Sequence, residues 1–103
     1  MDSRTGAGLI AGMLQGTKHI NPVWDELPEP AVDELLRTWA HELDKWDGSS
    51  TDAIIESITR HDGLRDAWGR LDQHSRDARR HVIETIAANV QNEEAEEAGA
   101  QNP

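Results

Sequence analysis

The chain has 103 residues, with 20 Asp and Glu against 10 Lys and Arg, a formal charge of −10, four Trp as its whole aromatic complement, and no Cys. At this length it reads as one small domain, too short for a two-lobed enzyme with a cleft between its lobes. Without thiols there is no disulfide framework, thiolate metal site, iron–sulfur cluster or Cys nucleophile, which fits a reducing compartment.

No apolar run approaches the roughly 20 residues of a bilayer span, and Met1-Asp2-Ser3-Arg4 lacks the regions of a secretory signal. A cytoplasmic protein with no membrane partner is therefore expected. A pI near 4.7 argues against direct nucleic-acid binding, which needs Lys and Arg to displace condensed counterions.

In chain order, Gly6 to Gly16 carries apolar residues at 9, 10, 13 and 14, the spacing of one helical face, although each glycine costs about 1 kcal/mol inside a helix. A phosphate loop is the competing reading, but neither a preceding strand nor a following Gly-Lys-Ser/Thr supports it. From Asn21-Pro22 to Pro30 the prolines mark a turn anchored by Val23, Trp24 and Leu27. The clearest helix runs over residues 30–46: Pro30 suits its first turn, Asp33 and Glu34 lie near its positive end, and Val32, Leu35, Leu36, Trp39, Leu43 and Trp46 share a face. Gly48 is placed for a left-handed cap.

Ser50 or Thr51 then caps a helix that points Ile54, Ile55, Ile58 and His61 inward until Asp62-Gly63 interrupts it. Beyond, Leu64, Trp68, Leu71, Ser75, Ala78, Val82, Ile86 and Val90 recur at steps of three and four. Two helices, broken near Gly69 or Gln73-His74-Ser75 with Ser75 as cap, suit this stretch better than one. Residues 93–103, rich in Glu, Ala, Gly, Gln and Asn, read as a disordered acidic tail after a helical domain of residues 1–92. No strand signal appears. The expected fold is all-α, a compact bundle of three to five short helices, whose two dozen or so large apolar side chains make a thin core and leave homo-oligomerisation open.

The charge is regional. Residues 24–59 carry −8, residues 60–81 carry +2 with six arginines, and residues 82–103 carry −5. Trp39 and Trp68, central on their faces, read as core. Trp24 and Trp46 are the candidate apolar anchors of a partner-binding surface, with Glu42, Asp44 and Asp47 supplying charge. Arg76, Arg79 and Arg80 form a candidate second contact. His74, Asp77, His81 and Glu84, spaced 3, 4 and 3, form a stripe that resembles a metal site, although a solvated helix face gives the same pattern. His41 with Asp44 and His61 with Asp62 could be drawn as acid–base pairs, but no nucleophile motif accompanies either, and no cofactor is indicated.

Trp39-Ala40-His41-Glu42-Leu43, an acidic stretch from Asp44 to Asp52, and Ser57-Ile58-Thr59-Arg60-His61 together resemble the N-terminal helical region of phage replicative-helicase loader/inhibitor proteins, over roughly a quarter of the chain. Asp62 replaces the family's aromatic after the His, and the Pro expected between Trp68 and Ser75 is missing. The resemblance implies a phage protein that docks on a replicative helicase through a helical surface and a mobile tail. Apart from it, the expected function is a small non-enzymatic interaction or regulatory protein that binds another protein with a basic surface; phage or mobile-element origin and a replication ATPase as the partner are what the resemblance implies. Alternatives are an acidic DNA mimic and a helical metal-binding protein.

Overall fold

A carboxylate starts the first helix. Asp2 Oδ1 accepts the Thr5 N–H at 2.7 Å, satisfying one of the donors that a helix start leaves open. In the computed structural model, which describes residues 1–48 and 51–100 (the last eight as backbone only), this helix runs Ser3–Gln15 (α1). Five more follow: α2 (Asn21–Glu26), α3 (Glu29–Asp44), α4 (Asp52–Thr59), α5 (Asp62–Arg70) and α6 (Gln73–Ala100). The described residues are all-α. The count exceeds the expected three to five because residues 21–26, expected as a turn, wind into a short helix with Pro22 in its first turn. None of these helices is long and apolar enough to cross a membrane.

The core gathers around α3, which packs on α1, α4 and α6. Ile10, Leu14, Ile20, Trp39, Leu43, Ile54, Ile58, Leu64, Ile83 and Val90 are sealed from solvent. Trp24 stacks on Trp39 with ring centroids 6.0 Å apart and planes 18° from parallel. Burial of Trp39 carries a cost, since its Nε1–H is buried without a partner, a loss of about 1–3 kcal/mol that the surrounding apolar burial must outweigh.

The α1 face differs from the expected one. Gly6, Ala7, Ile10 and Leu14 are buried, while Leu9 is exposed. Small residues let α1 lie close to its neighbours: a Cβ on Gly6 would stand 2.9 Å from Leu43 Cδ1, 3.0 Å from Val90 Cγ2 and 3.1 Å from Ile86 Cγ2. Three helices thus meet at one position where a side chain would not fit.

Helix ends account for the other departures. α3 stops at Asp44, before the expected 46, with the Lys45 N–H donating back to the His41 carbonyl and the Trp46 N–H to that of Leu43. Gly48 does take a left-handed φ of +90°, but in the turn beyond the helix. Thr51 precedes α4 without a side-chain cap bond, and Ser50 lies outside the described residues. His61 does not extend the inward face of α4. It is half-buried and starts α5, its Nδ1 accepting the Leu64 N–H at 3.4 Å, so Asp62-Gly63 opens a helix and does not merely break one.

The break within residues 64–90 falls at Leu71-Asp72. Asp72, not Ser75, is the cap, its Oδ1 accepting the Ser75 N–H at 2.7 Å. Breaking the chain there resets the helical phase. Ile83, Ile86, Ala87 and Val90 turn inward, whereas Ala78 and Val82, expected on the buried stripe, face solvent. The backbone of α6 continues to Ala100; the remainder of the expected acidic tail, with the side chains of residues 93–100, lies outside the described residues.

Two outcomes follow from these close approaches and caps. Gly6→Ala destabilises by about 1–2 kcal/mol through overpacking against stiff β-branched neighbours, whereas Gly8→Ala, with open space at its Cβ, stabilises by up to about 1 kcal/mol, both read from urea unfolding. The Ser75 N–H, backbone first, holds the Asp72 carboxyl below its ordinary value of 3.8. A lowered folded value stabilises above the unfolded one and is lost as pH falls through the folded one. Asp72→Ala therefore lowers the melting temperature at pH 7, and its gap from the wild type closes as pH falls below about 4.

Candidate functional site: an acidic groove at the α3–α4 corner

Where α3 ends and the chain turns towards α4, the acidic part of the sequence folds around an aromatic side chain. Glu42, Lys45, Trp46, Asp47, Asp52, Ala53 and Ile54 line a groove of about 440 Å³. Trp46, just past the last turn of α3, is half-buried and packs against the edge of the core. Three carboxylates and one ammonium give the lining a formal charge of −2.

Contacts from α3 and α6 hold the groove in shape. Lys45 Nζ lies 3.3 Å from Glu42 Oε1, and Arg80 Nη1 lies 2.6 Å from Asp52 Oδ1. Gln91 Nε2 donates to the Leu43 carbonyl at 2.8 Å and to the Asp44 carbonyl at 3.3 Å, so α6 satisfies the open C-terminal end of α3. Chemically, an indole beside carboxylates suits a Lys or Arg side chain: the ring face attracts the cation and the carboxylates pair with it.

Of the expected partner-binding residues, the structure brings Glu42, Trp46 and Asp47 together. Asp44 is exposed on the neighbouring turn and contributes its carbonyl to Gln91 rather than lining the groove. Trp24 is not an exposed anchor: the short α2 helix lays it on Trp39, leaving it 8% exposed. Two members were missed from sequence. Asp52 shows in the sequence only as the end of an acidic stretch, and Gln91 gives no signal, since its role depends on α6 reaching the end of α3.

The arginine cluster is dispersed into internal contacts. Arg76 donates through Nη1 to the Leu71 carbonyl and, at 3.4 Å, to that of Gly69, closing the end of α5. Arg79 Nε donates to Thr17 Oγ1 at 3.3 Å, and Arg80 pairs with Asp52. Three adjacent guanidinium groups thus serve three different elements, and no joint grip forms.

The metal stripe also fails to assemble. His74, Asp77, His81 and Glu84 are exposed along a length of about 15 Å of helix, and among the described residues no three His, Asp or Glu side chains converge on a metal position. Asp77 instead accepts from Gln73 Nε2 at 2.8 Å. Asp2 and Asp72, whose carboxyls are held below their ordinary value, are helix caps outside the groove.

Two smaller grooves flank α3. One, of about 370 Å³, runs between α1 and α3 over Ala7, Gly8, Leu36 and Ala40, with Arg4, Asp33 and Arg37 at its rim. The other, of about 200 Å³, lies between α3 and α4 beside Arg60 and His61.

Adding Zn²⁺ or Ni²⁺ leaves the melting temperature unchanged, because a folded-state site occupied at 100 times its dissociation constant would add about 2.7 kcal/mol and be seen at once. Comparison of the chain with protein-family models, curated proteins and solved structures gives no match.

Proposed function

We propose that this chain is a small non-enzymatic interaction or regulatory protein that captures a basic segment of another protein in the groove between α3 and α4. The observation that carries this reading is the groove itself: Trp46 set among Glu42, Asp47 and Asp52 on a shaped surface, in the most acidic part of the chain. Trp46 supplies apolar contact, and the carboxylates supply orientation and association rate against a positive partner. The resemblance of residues 39–61 to phage helicase loader/inhibitor proteins makes a replication ATPase the first partner to try and a phage or mobile element the origin to expect. In that segment Trp39, Leu43 and Ile58 are core residues, while Glu42 faces the groove. The same acidity supports a second reading, in which the surface mimics a phosphate array and occupies a DNA-binding site on its partner.

Affinity capture from the native host's lysate tests the proposal when the wild type is compared with Glu42→Lys/Asp47→Lys and with Trp46→Ala. Both variants lose capture at least about tenfold while keeping helical circular dichroism, a loss of about 1.4 kcal/mol or more in binding. Trp46 is the one tryptophan that is not buried, so partner binding also changes the intrinsic fluorescence. Unchanged capture by the charge-reversed variant overturns the reading. Competition by duplex DNA for the captured partner selects the mimic.

A further inference from the structure

The groove between α1 and α3 differs in chemistry from the acidic one. Arg4, Ala7 and Gly8 form its α1 wall, on one helical face by steps of three and four. On α3, Leu36 and Ala40 form the floor, and Asp33 and Arg37 the rim. Short side chains make the hollow. The close approach at Gly6 draws α1 onto the core, but Gly8 presents no side chain, and a Cβ there would meet nothing within 4 Å. Leu36 is half-buried, packed against the core while lining the groove.

The rim carries charge that the fold does not use. Lys45, Arg65 and Arg80 each pair with a carboxylate, and Arg76 and Arg79 donate to oxygens of the fold. Arg4 and Arg37, both exposed, make no salt bridge or side-chain hydrogen bond among the described residues, although Asp33 lies one helical turn before Arg37. Two guanidinium groups and one carboxylate give this lining a charge of +1 in a chain of −10.

We propose that this groove binds a small amphipathic monocarboxylate, an aliphatic or aryl acid whose body lies over Ala7, Gly8, Leu36 and Ala40 and whose carboxylate is held by Arg4 and Arg37. Charge selects the head group. A guanidinium fork matches the two oxygens of a carboxylate, and apolar walls beside it strengthen the contact. Asp33 sets the limit: a rim of +1 balances one negative charge, so a phosphate dianion or a polyanion would keep excess charge beside a carboxylate. Volume selects the body. A hollow of about 370 Å³ lies at the small end of ligand pockets and takes roughly 10–15 non-hydrogen atoms, too few for a nucleotide. This groove shares α3 with the acidic corner but none of its lining residues, so the site does not depend on the docking proposed there.

Isothermal titration calorimetry of the full chain tests it with two acids of about 12 non-hydrogen atoms each, decanoate for the aliphatic class and 4-phenylbutyrate for the aryl class. At least one binds with a dissociation constant between about 10 µM and about 1 mM, and the tighter of the two identifies the class. Arg4→Gln/Arg37→Gln weakens that binding at least about tenfold with unchanged helical circular dichroism. Gly8→Leu, which fills the hollow and leaves every charge in place, does the same. Trp46→Ala, in the acidic groove, binds the acid as the wild type does. Failure of both acids to bind below about 5 mM, binding that survives either variant of the α1–α3 groove, or binding lost in Trp46→Ala overturns the proposal.

Discussion

The arrangement depends on one close approach. At Gly6 the backbone of α1 comes so near to Leu43, Ile86 and Val90 that even a methyl group would be crowded. Because α1, α3 and α6 share that point, α6 lies antiparallel to α1 along its length and reaches the end of α3, where Gln91 takes up the last carbonyls of the helix. The acidic corner groove is an outer consequence of the same contact.

Charge in this protein works on two scales. As a field, the −8 of residues 24–59 attracts positive surfaces and repels negative ones. As local contacts, single charged side chains join or cap helices. Arg80 joins α6 to the start of α4, Arg76 closes the end of α5, and carboxylates at Asp2 and Asp72 open α1 and α6. The exposed Arg80–Asp52 pair contributes little stability, whereas each carboxylate cap satisfies a helix-start N–H and contributes more.

Much of the fold was legible because helices announce themselves through local spacing. The inward face of α3, the cores of α4 and α5, the break before α6 and the burial of Trp39 and Trp68 all follow from short-range patterns. Three features were hidden. The phase of α6 depended on which residue capped it, and moving the cap from Ser75 to Asp72 exchanged Val82 for Ile83 on the buried side. His61 belonged to the start of α5, because its ring nitrogen found the Leu64 amide. Leu9 and Gly6 exchanged roles, since apolarity alone does not say where two backbones must nearly touch.

The candidate groove was half legible. Glu42, Trp46 and Asp47 lie within six residues of one another, so a local reading could group them; Asp52 and Gln91 join only when α4 and α6 arrive. The sequence by itself determined the all-α class, the central helix and the regional charge, because these depend on residues a few positions apart. Tertiary structure alone decided that Trp24 would be buried, that three arginines would separate and that four metal-like residues would stay apart. Each of those outcomes is a distance between segments, set by how closely helix backbones can pack.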